Sequence, residues 1–505
     1  MRYFAVAIVA ILILCIVGCN IVLGNNTPEP TFTSNAPEET HVAPQTPTPE
    51  LNDPHLDGSL EVSYTRSIHL NNDTVDVFET AEADNVCLRI YQTGNEDCVT
   101  MGRVRNTVGQ AASYIWTSEL NGILRYYDRE ADLWIENDIA PCTVQISMIE
   151  LLFEDGSSFL IYTPKTFRLH ENGVMEYLPQ CDGFINVEQN GDGWMFSLQS
   201  NIPDTNCVSD FTVVSGPRSM LNWGHPNCGD LWKNYTLETE GKWCFNGYFF
   251  PCAYNYVPTG ENYLYNCPAA YFVKSMVYVA YAHPAAENLA LAMLDTLAME
   301  QNKAGYWPTS PRSEWLYEDY GVDKGFYDTR FNSDLLRIYR VYYDTYGGDV
   351  LRDVMNMYAD FFVEFAECEH FLSPNGGWFI PDYTPASINK PHSSLNHQLA
   401  EIIELYGLAD SLQRPDLEEL AGKMLLAITD TDKQWINEMG DLHYCIFSDG
   451  KTFGRQDYPY LTYNDLFDLQ EVLVKRYGAE AESIQFLMDM KKQWMDANEV
   501  TGYKK

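Results

Sequence analysis

The sequence predicts a multidomain α+β fold: an N-terminal all-β, sandwich-like domain, then an (α/α) toroid-like domain of about four helical hairpins. Three observations predict it. Short alternating segments fill positions 55–215, apolar residues recur at helical spacing from 269 to 505, and the body of the chain is too long for one core.

Residues 1–19 read as a lipoprotein signal peptide. Met1 and Arg2 give a positive start, and residues 3–17 (YFAVAIVAILILCIV) are almost wholly apolar. So short a run falls below the roughly 20 residues that span a bilayer, which favours a cleaved leader. Ile16-Val17-Gly18-Cys19 resembles a bacterial lipobox, so Cys19 is the expected lipidation site. The expected location is the extracytoplasmic face of the cell membrane, with the membrane itself a partner through this N-terminal lipid anchor. Residues 20–54 are rich in Pro and Thr and poor in large apolar groups, so they are expected to form an extended, disordered stalk.

The formal net charge is −39, almost all of it beyond the stalk. Such a surface repels nucleic acid and anionic lipid at long range, and it counts against a polyanionic substrate. No nucleic-acid partner is expected. The 13 cysteines include no C-x-x-C pair, which argues against zinc; neither a metal nor a cofactor is expected. The cluster Cys228, Cys244, Cys252 and Cys267 suggests one or two disulfides, with several buried thiols elsewhere.

Within 55–215, segments such as SLEVSYTRSIHL, ADLWIEN, SSFLIYTPKTFRLH and GWMFSLQS mix β-branched and aromatic residues. Turn signals separate them: Asn71-Asn72-Asp73, Glu154-Asp155-Gly156, Glu171-Asn172-Gly173 and Asn190-Gly191-Asp192-Gly193. No 20- to 50-residue repeat is evident, which favours a sandwich over a propeller. Residues 216–268 form a transitional segment crowded with Cys and aromatic residues.

From 269 onward, eight segments carry helical periodicity, beginning with AAYFVKSMVYVAYAH and ending with EAESIQFLMDMKKQWMDA. They pair as four hairpins. Pro284 and Pro415 suit first helical turns, and Gly347-Gly348 and Gly407 are placed near helix ends. Between the hairpins lie aromatic loops: GYWPTSPRSEWLYEDYGVDKGFYDTR, SPNGGWFIPDYTPASINKPHSS and DLHYCIFSDGKTFGRQDYPYLTY. Loops gathered at one end of a ring of hairpins, with many Trp and Tyr, suit sugar rings, whose apolar faces stack on aromatic planes.

Four local patterns in these loops resemble the D-glucuronyl C5-epimerases. Gly325-Phe326-Tyr327 before a helix is similar to that family's Gly-Trp-Tyr-Ser. Gly376-Gly377-Trp378-Phe379 with Asp382-Tyr383 resembles its glycine-tryptophan loop, and Ser394-Leu395-Asn396-His397 its Leu-Asn-Gly helix. His443-Tyr444 and Gly454-Arg455-Gln456-Asp457-Tyr458 resemble its Arg-Tyr-Asp-Leu and Ala-Arg-Trp-Asp-Tyr-His. The resemblance implies inversion at C5 of a uronate within a polysaccharide. It implies Tyr444 and Tyr458 as opposed acid/base groups with Tyr327 beside them. Arg455, with Arg330 as second choice, would hold the carboxylate, and Trp378, Tyr383, Asn396, His443 and Asp457 would contact substrate. A tyrosine base would need a nearby cation to lower its pKa. The chain departs from the family at Asp328, His397, His443, Cys445 and Pro459.

Two alternatives share the expected partner, a uronate-containing polysaccharide or other glycan. One is a hydrolase using Glu314, Asp328, Asp382 or Asp457, or a lyase assisted by His392, His397 or His443. The other is a non-catalytic glycan-binding lipoprotein.

Overall fold

The computed structural model describes residues 61–504, apart from 82–84 and 239–240. The leader, Cys19 and the stalk lie outside the described residues. The first strands are β1 (Val62–His69), β2 (Thr74–Thr80), β3 (Val86–Thr93), β4 (Cys98–Val104), β5 (Gly109–Ser118), β6 (Gly122–Asp128) and β7 (Leu133–Asp138). There follow β8 (Cys142–Val144), β9 (Met148–Phe153), β10 (Ser158–Leu169), β11 (Val174–Tyr177), β12 (Phe184–Asn190), β13 (Gly193–Ile202) and β14 (Cys207–Gly216). They pair antiparallel in two sheets. The smaller runs β5-β13-β12-β8, while the larger has β1-β2-β3-β4-β14-β10-β11 as its spine.

One core lies between these sheets. Ile149, Leu151, Phe159, Ile161, Phe211 and Val213 point into it from the large sheet, and Trp116, Ile185, Val187, Phe196 and Leu198 from the small one. Gly102 pairs with Phe211 on the neighbouring strand, and the Phe211 ring lies where a Cβ at 102 would sit, 2.1 Å from it. The alternate residues Met148, Leu160, Tyr162 and Val214 face the other way, into a second core shared with the helices. A strand's period of two therefore explains the unbroken burial of Ser158–Thr166 in β10, which has a core on each face.

The segment 216–268 is no mere connection. Strands Lys242–Cys244, Gly247–Pro251 and Tyr263–Asn266 extend the large sheet beyond β11. Helix α1 (Cys228–Leu237) buries Trp232 and Tyr235 against it. The expected disulfides are absent from this region: Cys228, Cys244, Cys252 and Cys267 are free thiols. All four are buried, Cys228, Cys252 and Cys267 in the core shared with the helices and Cys244 in a small cluster with Phe167, Phe249 and Leu264; Cys267 accepts a hydrogen bond from the Tyr265 hydroxyl at 3.3 Å.

All eight expected helices form: α2 (Tyr271–Val279), α3 (Pro284–Glu300), then, after a short α4 (Glu314–Tyr320), α5 (Thr329–Tyr346) and α6 (Asp349–Glu369). The set closes with α7 (Leu395–Leu412), α8 (Pro415–Asp430), α9 (Leu461–Tyr477) and α10 (Glu482–Ala497). Pro284 and Pro415 occupy first turns, and Gly347 and Gly348, both with positive φ, make the sharp corner between α5 and α6. Gly407, placed near a helix end by sequence, lies inside α7 instead. A Cβ there would sit 2.3 Å from Arg340 Nε, so the glycine admits the Arg340–Glu404 ion pair (3.0 Å) between α5 and α7.

Helices α2, α5, α7 and α9 form an inner row, each followed by its outer partner. Every residue from Leu395 to Tyr406 in α7 is buried. The loops before α5 and α7 are fixed by miniature sheets: Tyr327–Asp328 pairs with Tyr383–Thr384, and Ser393–Ser394 with the strand His443–Ile446. These pairings align the N-termini of the inner helices at one end of the row.

Candidate active site

A cleft of about 470 Å³ opens along the inner helices from this end. Tyr271, Lys274 and Tyr278 line it from α2, Arg330, Asp334 and Arg337 from α5, Asn396 and His397 from α7, and Leu461, Asn464, Asp465 and Asp468 from α9, with Tyr458 before α9. These positions recur at i, i+3/i+4 and i+7, the stripe one helix face presents.

Ion pairs consume most of the charge in the cleft. Arg330 donates from Nη1 and Nη2 to both oxygens of Asp465 (2.6 and 3.1 Å), from Nε to Asp334 (3.2 Å), and from Nη1 to the Asn396 carbonyl (3.1 Å). Arg337 bonds Asp468 (3.2 Å), which also pairs with Lys504. Lys274 is exposed and has no carboxylate partner among the described residues. Burial raises the Asp465 carboxyl to about 6 against the pull of Arg330, with Asp334 and Asp468 adding to the rise. The buried Oδ1 of Asn396 has no hydrogen-bond partner among the described residues.

Behind the cleft wall lies a buried polar cluster. His397 Nδ1 is 2.7 Å from the Thr329 hydroxyl and 3.8 Å from Asp382 Oδ2. Asp382 accepts from the Ser394 backbone N–H (2.7 Å) and hydroxyl (2.5 Å), and His392 Nε2 lies 3.3 Å away. The other nitrogen of His392 meets the Tyr320 hydroxyl at 2.6 Å. Burial depresses His397 to about 4, although Asp382 opposes this, so the imidazole is neutral near pH 7. Burial raises Asp382, but His397, His392 and Ser394 outweigh it and hold that carboxyl below the usual range. Asp328 caps α5 by accepting from the Phe331 N–H (2.9 Å), and burial pushes its carboxyl well up.

Of the residues expected from sequence, the structure brings Arg330, Asn396, His397 and Tyr458 to the cleft, while Tyr327, Arg455 and Asp457 go elsewhere with particular clarity. Tyr327 is fully buried on the far side of α5, its hydroxyl 2.6 Å from that of Tyr358, which donates to Glu401 (2.8 Å). Arg455 is exposed, ion-paired with Asp319 (2.8 Å) and lying over the Trp315 ring. Asp457 is paired with Lys491 (2.8 Å), which also bonds Asp441 and the Tyr458 carbonyl and so pins this loop to α10.

Tyr444 packs edge-on against Tyr458, ring centroids 5.7 Å apart, so the two are neighbours in contact with no room between them for a sugar ring. Trp378 stacks on His370, His443 packs against Phe453, and Tyr383 lies edge-on to His392 and His397. Of the alternative carboxylates, only Asp328 lines the cleft. Sequence reasoning missed Lys274, Asp334, Asp465 and Asp468. The signal for Asp334 was its place four residues after Arg330 on α5, and for Asp465 and Asp468 their helical spacing on α9; Lys274 stands on a third helix, α2. Among the described residues no group of three or more His, Cys, Asp or Glu is arranged to hold a metal ion.

No family model matches the chain, and no curated protein matches it. Solved structures give weak likenesses. A cellobiose 2-epimerase from Spirochaeta thermophila aligns at 14% identity and TM-score 0.34, over 46% of this chain and 59% of that one. A family 76 glycoside hydrolase from a bovine Bacteroides thetaiotaomicron strain aligns at 11% and 0.35, over 81% and 77%. An unsaturated glucuronyl hydrolase from Bacillus sp. GL1 aligns at 14% and 0.31, over 47% and 61%. The chain thus spans about three fifths of the length of the epimerase and of the glucuronyl hydrolase. Likenesses at these scores carry no functional weight.

Proposed function

We propose that the chain is a carbohydrate-processing enzyme that moves a proton on a saccharide held in the inner-helix cleft. The observation that carries this is the convergence there of aromatic faces (Tyr271, Tyr278, Tyr458), polar partners (Asn396, Asp334) and two groups fit for proton transfer (His397, Asp465). Inversion at C5 of a uronate needs two proton-transfer groups and a cation for the carboxylate. In this cleft His397 and Tyr458 are the candidates for the first, and Lys274 for the second, since Arg330 is committed to Asp334 and Asp465. Hydrolysis is the second reading, favoured by the Asp465 carboxyl near 6, a value suited to a general acid.

One experiment separates them. The ectodomain from about residue 55 is incubated with uronate-containing and neutral polysaccharides in D2O. Deuterium at C5 without cleavage supports epimerisation, new reducing ends support hydrolysis, and ultraviolet absorbance of unsaturated uronate supports a lyase. Binding with none of the three would overturn the enzymatic proposal in favour of a glycan-binding protein. The leader adds a separate proposal, that this activity operates outside the cytoplasmic membrane, tethered through Cys19; loss of fatty-acid labelling in Cys19→Ala would support it, and unchanged labelling would overturn it.

A further inference from the structure

We infer that the cleft holds two sugar residues in sequence and reads an anionic substituent, carboxylate or sulfate, on the second through Tyr278, Arg337 and Lys504. The inference rests on the saccharide function proposed above and narrows its substrate to an acidic disaccharide unit or a longer chain containing one.

Helix geometry sets the length of the cleft. Tyr271 and Tyr278 of α2, Arg330 and Arg337 of α5, and Leu461 and Asp468 of α9 all line it, and the members of each pair stand seven residues apart. At 1.5 Å per residue, seven residues advance about 10 Å along one helix face. The helices keep step, since Arg330 bonds Asp465 (2.6 Å) and Arg337, further along α5, bonds Asp468 (3.2 Å), further along α9. On α2, burial pushes the Tyr271 hydroxyl up, with Asp334 adding to the rise and Arg330 opposing it. Burial lowers Arg337, but Glu404, Asp468 and Tyr278 together raise it. Tyr271 therefore stands at the near end, beside Arg330, and Tyr278 at the far end, beside Arg337. A cleft of this length is too long for one pyranose ring and suits two, each with an aromatic side chain to stack on.

Charge reverses between the two ends. Arg330 is the one cation of the near end, where Asp328, Asp334 and Asp465 line the cleft. Farther in, Lys274, Arg337 and Lys504 line it with a single carboxylate, Asp468. Glu404, 3.9 Å from Arg337, is held by Arg340 at 3.0 and 3.2 Å. Lys274 is exposed, its ammonium 5.9 Å from the Tyr278 ring centroid. Lys504 comes from outside the hairpins. Its backbone N–H donates to Asn464 (2.9 Å) and its ammonium pairs with Asp468, while Tyr503 packs edge-on against Tyr463 (5.4 Å) and donates to Asp496 (3.0 Å). Segment 500–504 is thus fastened to α9 and α10 with its cation at the far end. The chain's charge of −39 repels a dense polyanion at long range, but one anionic group in contact with these cations is governed by the local field. An acidic sugar seated there leaves its neighbour at the near end, beside Asn396, His397 and Asp465.

The test is calorimetric titration of the full-length chain in detergent. The probes are monosaccharides and disaccharides of gluco, galacto and manno configuration, each neutral, as the uronate and as the 6-sulfate. An acidic disaccharide is expected to bind about tenfold or more tightly than both its neutral form and its acidic monosaccharide. That advantage should shrink about tenfold in Lys504→Gln and in Tyr278→Ala. Tyr278 is 43% exposed and Lys504 lies on the surface, so neither substitution opens the core, and each variant tests the far end without the other. A preference for uronate assigns the substituent as carboxylate, and a preference for the 6-sulfate assigns it as sulfate. Neutral and acidic disaccharides bound equally, disaccharides bound no better than monosaccharides, or both variants discriminating like wild type would overturn the inference and leave the saccharide function standing. Binding by none of the probes would overturn both.

Discussion

Arg330 holds Asp465 with both ends of its guanidinium, Nη1 to Oδ2 at 2.6 Å and Nη2 to Oδ1 at 3.1 Å, and so joins α5 to α9 across the cleft. The same guanidinium reaches Asp334 through Nε. Removing it in Arg330→Ala leaves Asp465 buried and uncompensated, a loss expected to cost about 3–5 kcal/mol. Replacing the pair together, in Arg330→Met with Asp465→Leu, should recover most of that loss. Urea unfolding of the single and double variants measures both. A single alanine variant within about 1 kcal/mol of wild type would show that the clamp contributes little to stability.

The two titrating groups of the cleft act on stability in opposite directions. Asp465 is raised from 3.8 to about 6, so between these values the folded chain keeps a proton that the unfolded chain has released. Its contribution is full below about pH 4 and is lost as pH rises through about 6. His397 is lowered from 6.5 to about 4, so its contribution is full above about pH 6.5 and is lost as pH falls through about 4. Unfolding free energies measured from pH 4 to 7 should therefore show wild type losing ground to Asp465→Asn as pH rises. Over the same range wild type should gain on His397→Gln. A pH-independent difference for either pair of proteins would remove that group from the account.

Tyrosine variants separate packing from chemistry. Tyr327 sits in a closed chain with Tyr358 and Glu401, so Tyr327→Phe is expected to cost about 1–2 kcal/mol of stability and to leave any activity unchanged. Tyr458 lies half-buried on the cleft wall, and Tyr458→Phe should keep stability within about 1 kcal/mol while lowering turnover by about 100-fold or more. Loss of activity in Tyr327→Phe with unchanged stability would reverse these assignments.

The helical half was legible in the sequence because its apolar residues sit at one period and its prolines and paired glycines stand at helix ends. Gly407 misled, since a glycine inside a helix, where a Cβ would collide with Arg340, has the local signature of a terminus. The site was less legible. Tyr327 and Arg455 stand in loop motifs of the right composition, but which face of a helix or hairpin a residue occupies depends on strand pairings two and three residues long. Asp465 and Arg330 lie 135 positions apart, and only the packing of α5 against α9 through α7 makes them a pair.

The cysteines give a chemical check on the fold. Burial raises the Cys228, Cys252 and Cys267 thiols to about 12 and pushes Cys244 well above its ordinary value, so none is reactive in the folded chain. Iodoacetamide added without reductant should label Cys368, which is exposed, and spare these four until the chain is unfolded, when all four should react. Any of the four that stayed unlabelled after unfolding without reductant, and reacted only after reduction, would be disulfide-bonded and would contradict their assignment as free thiols.

The sheet and the helical half stand or fall together. Asp295, 1% exposed on α3, accepts a hydrogen bond from the Tyr91 hydroxyl of β3 at 2.8 Å and pairs with Arg66 of β1. Every residue from Leu289 to Leu297 is buried, because α3 lies between the large sheet and the other helices and has no solvent face there. Asp295→Ala leaves the buried Tyr91 hydroxyl without that acceptor and should cost about 2–4 kcal/mol. A fragment of residues 269–505 exposes the sheet-facing side of α3, and with it Leu and Met side chains that have no other cover. It should bind a hydrophobic dye strongly and aggregate, while the chain from residue 55 does neither. A monomeric, dye-silent fragment with a cooperative thermal transition would show instead that the helices complete their own core and that the sheet is an independent domain.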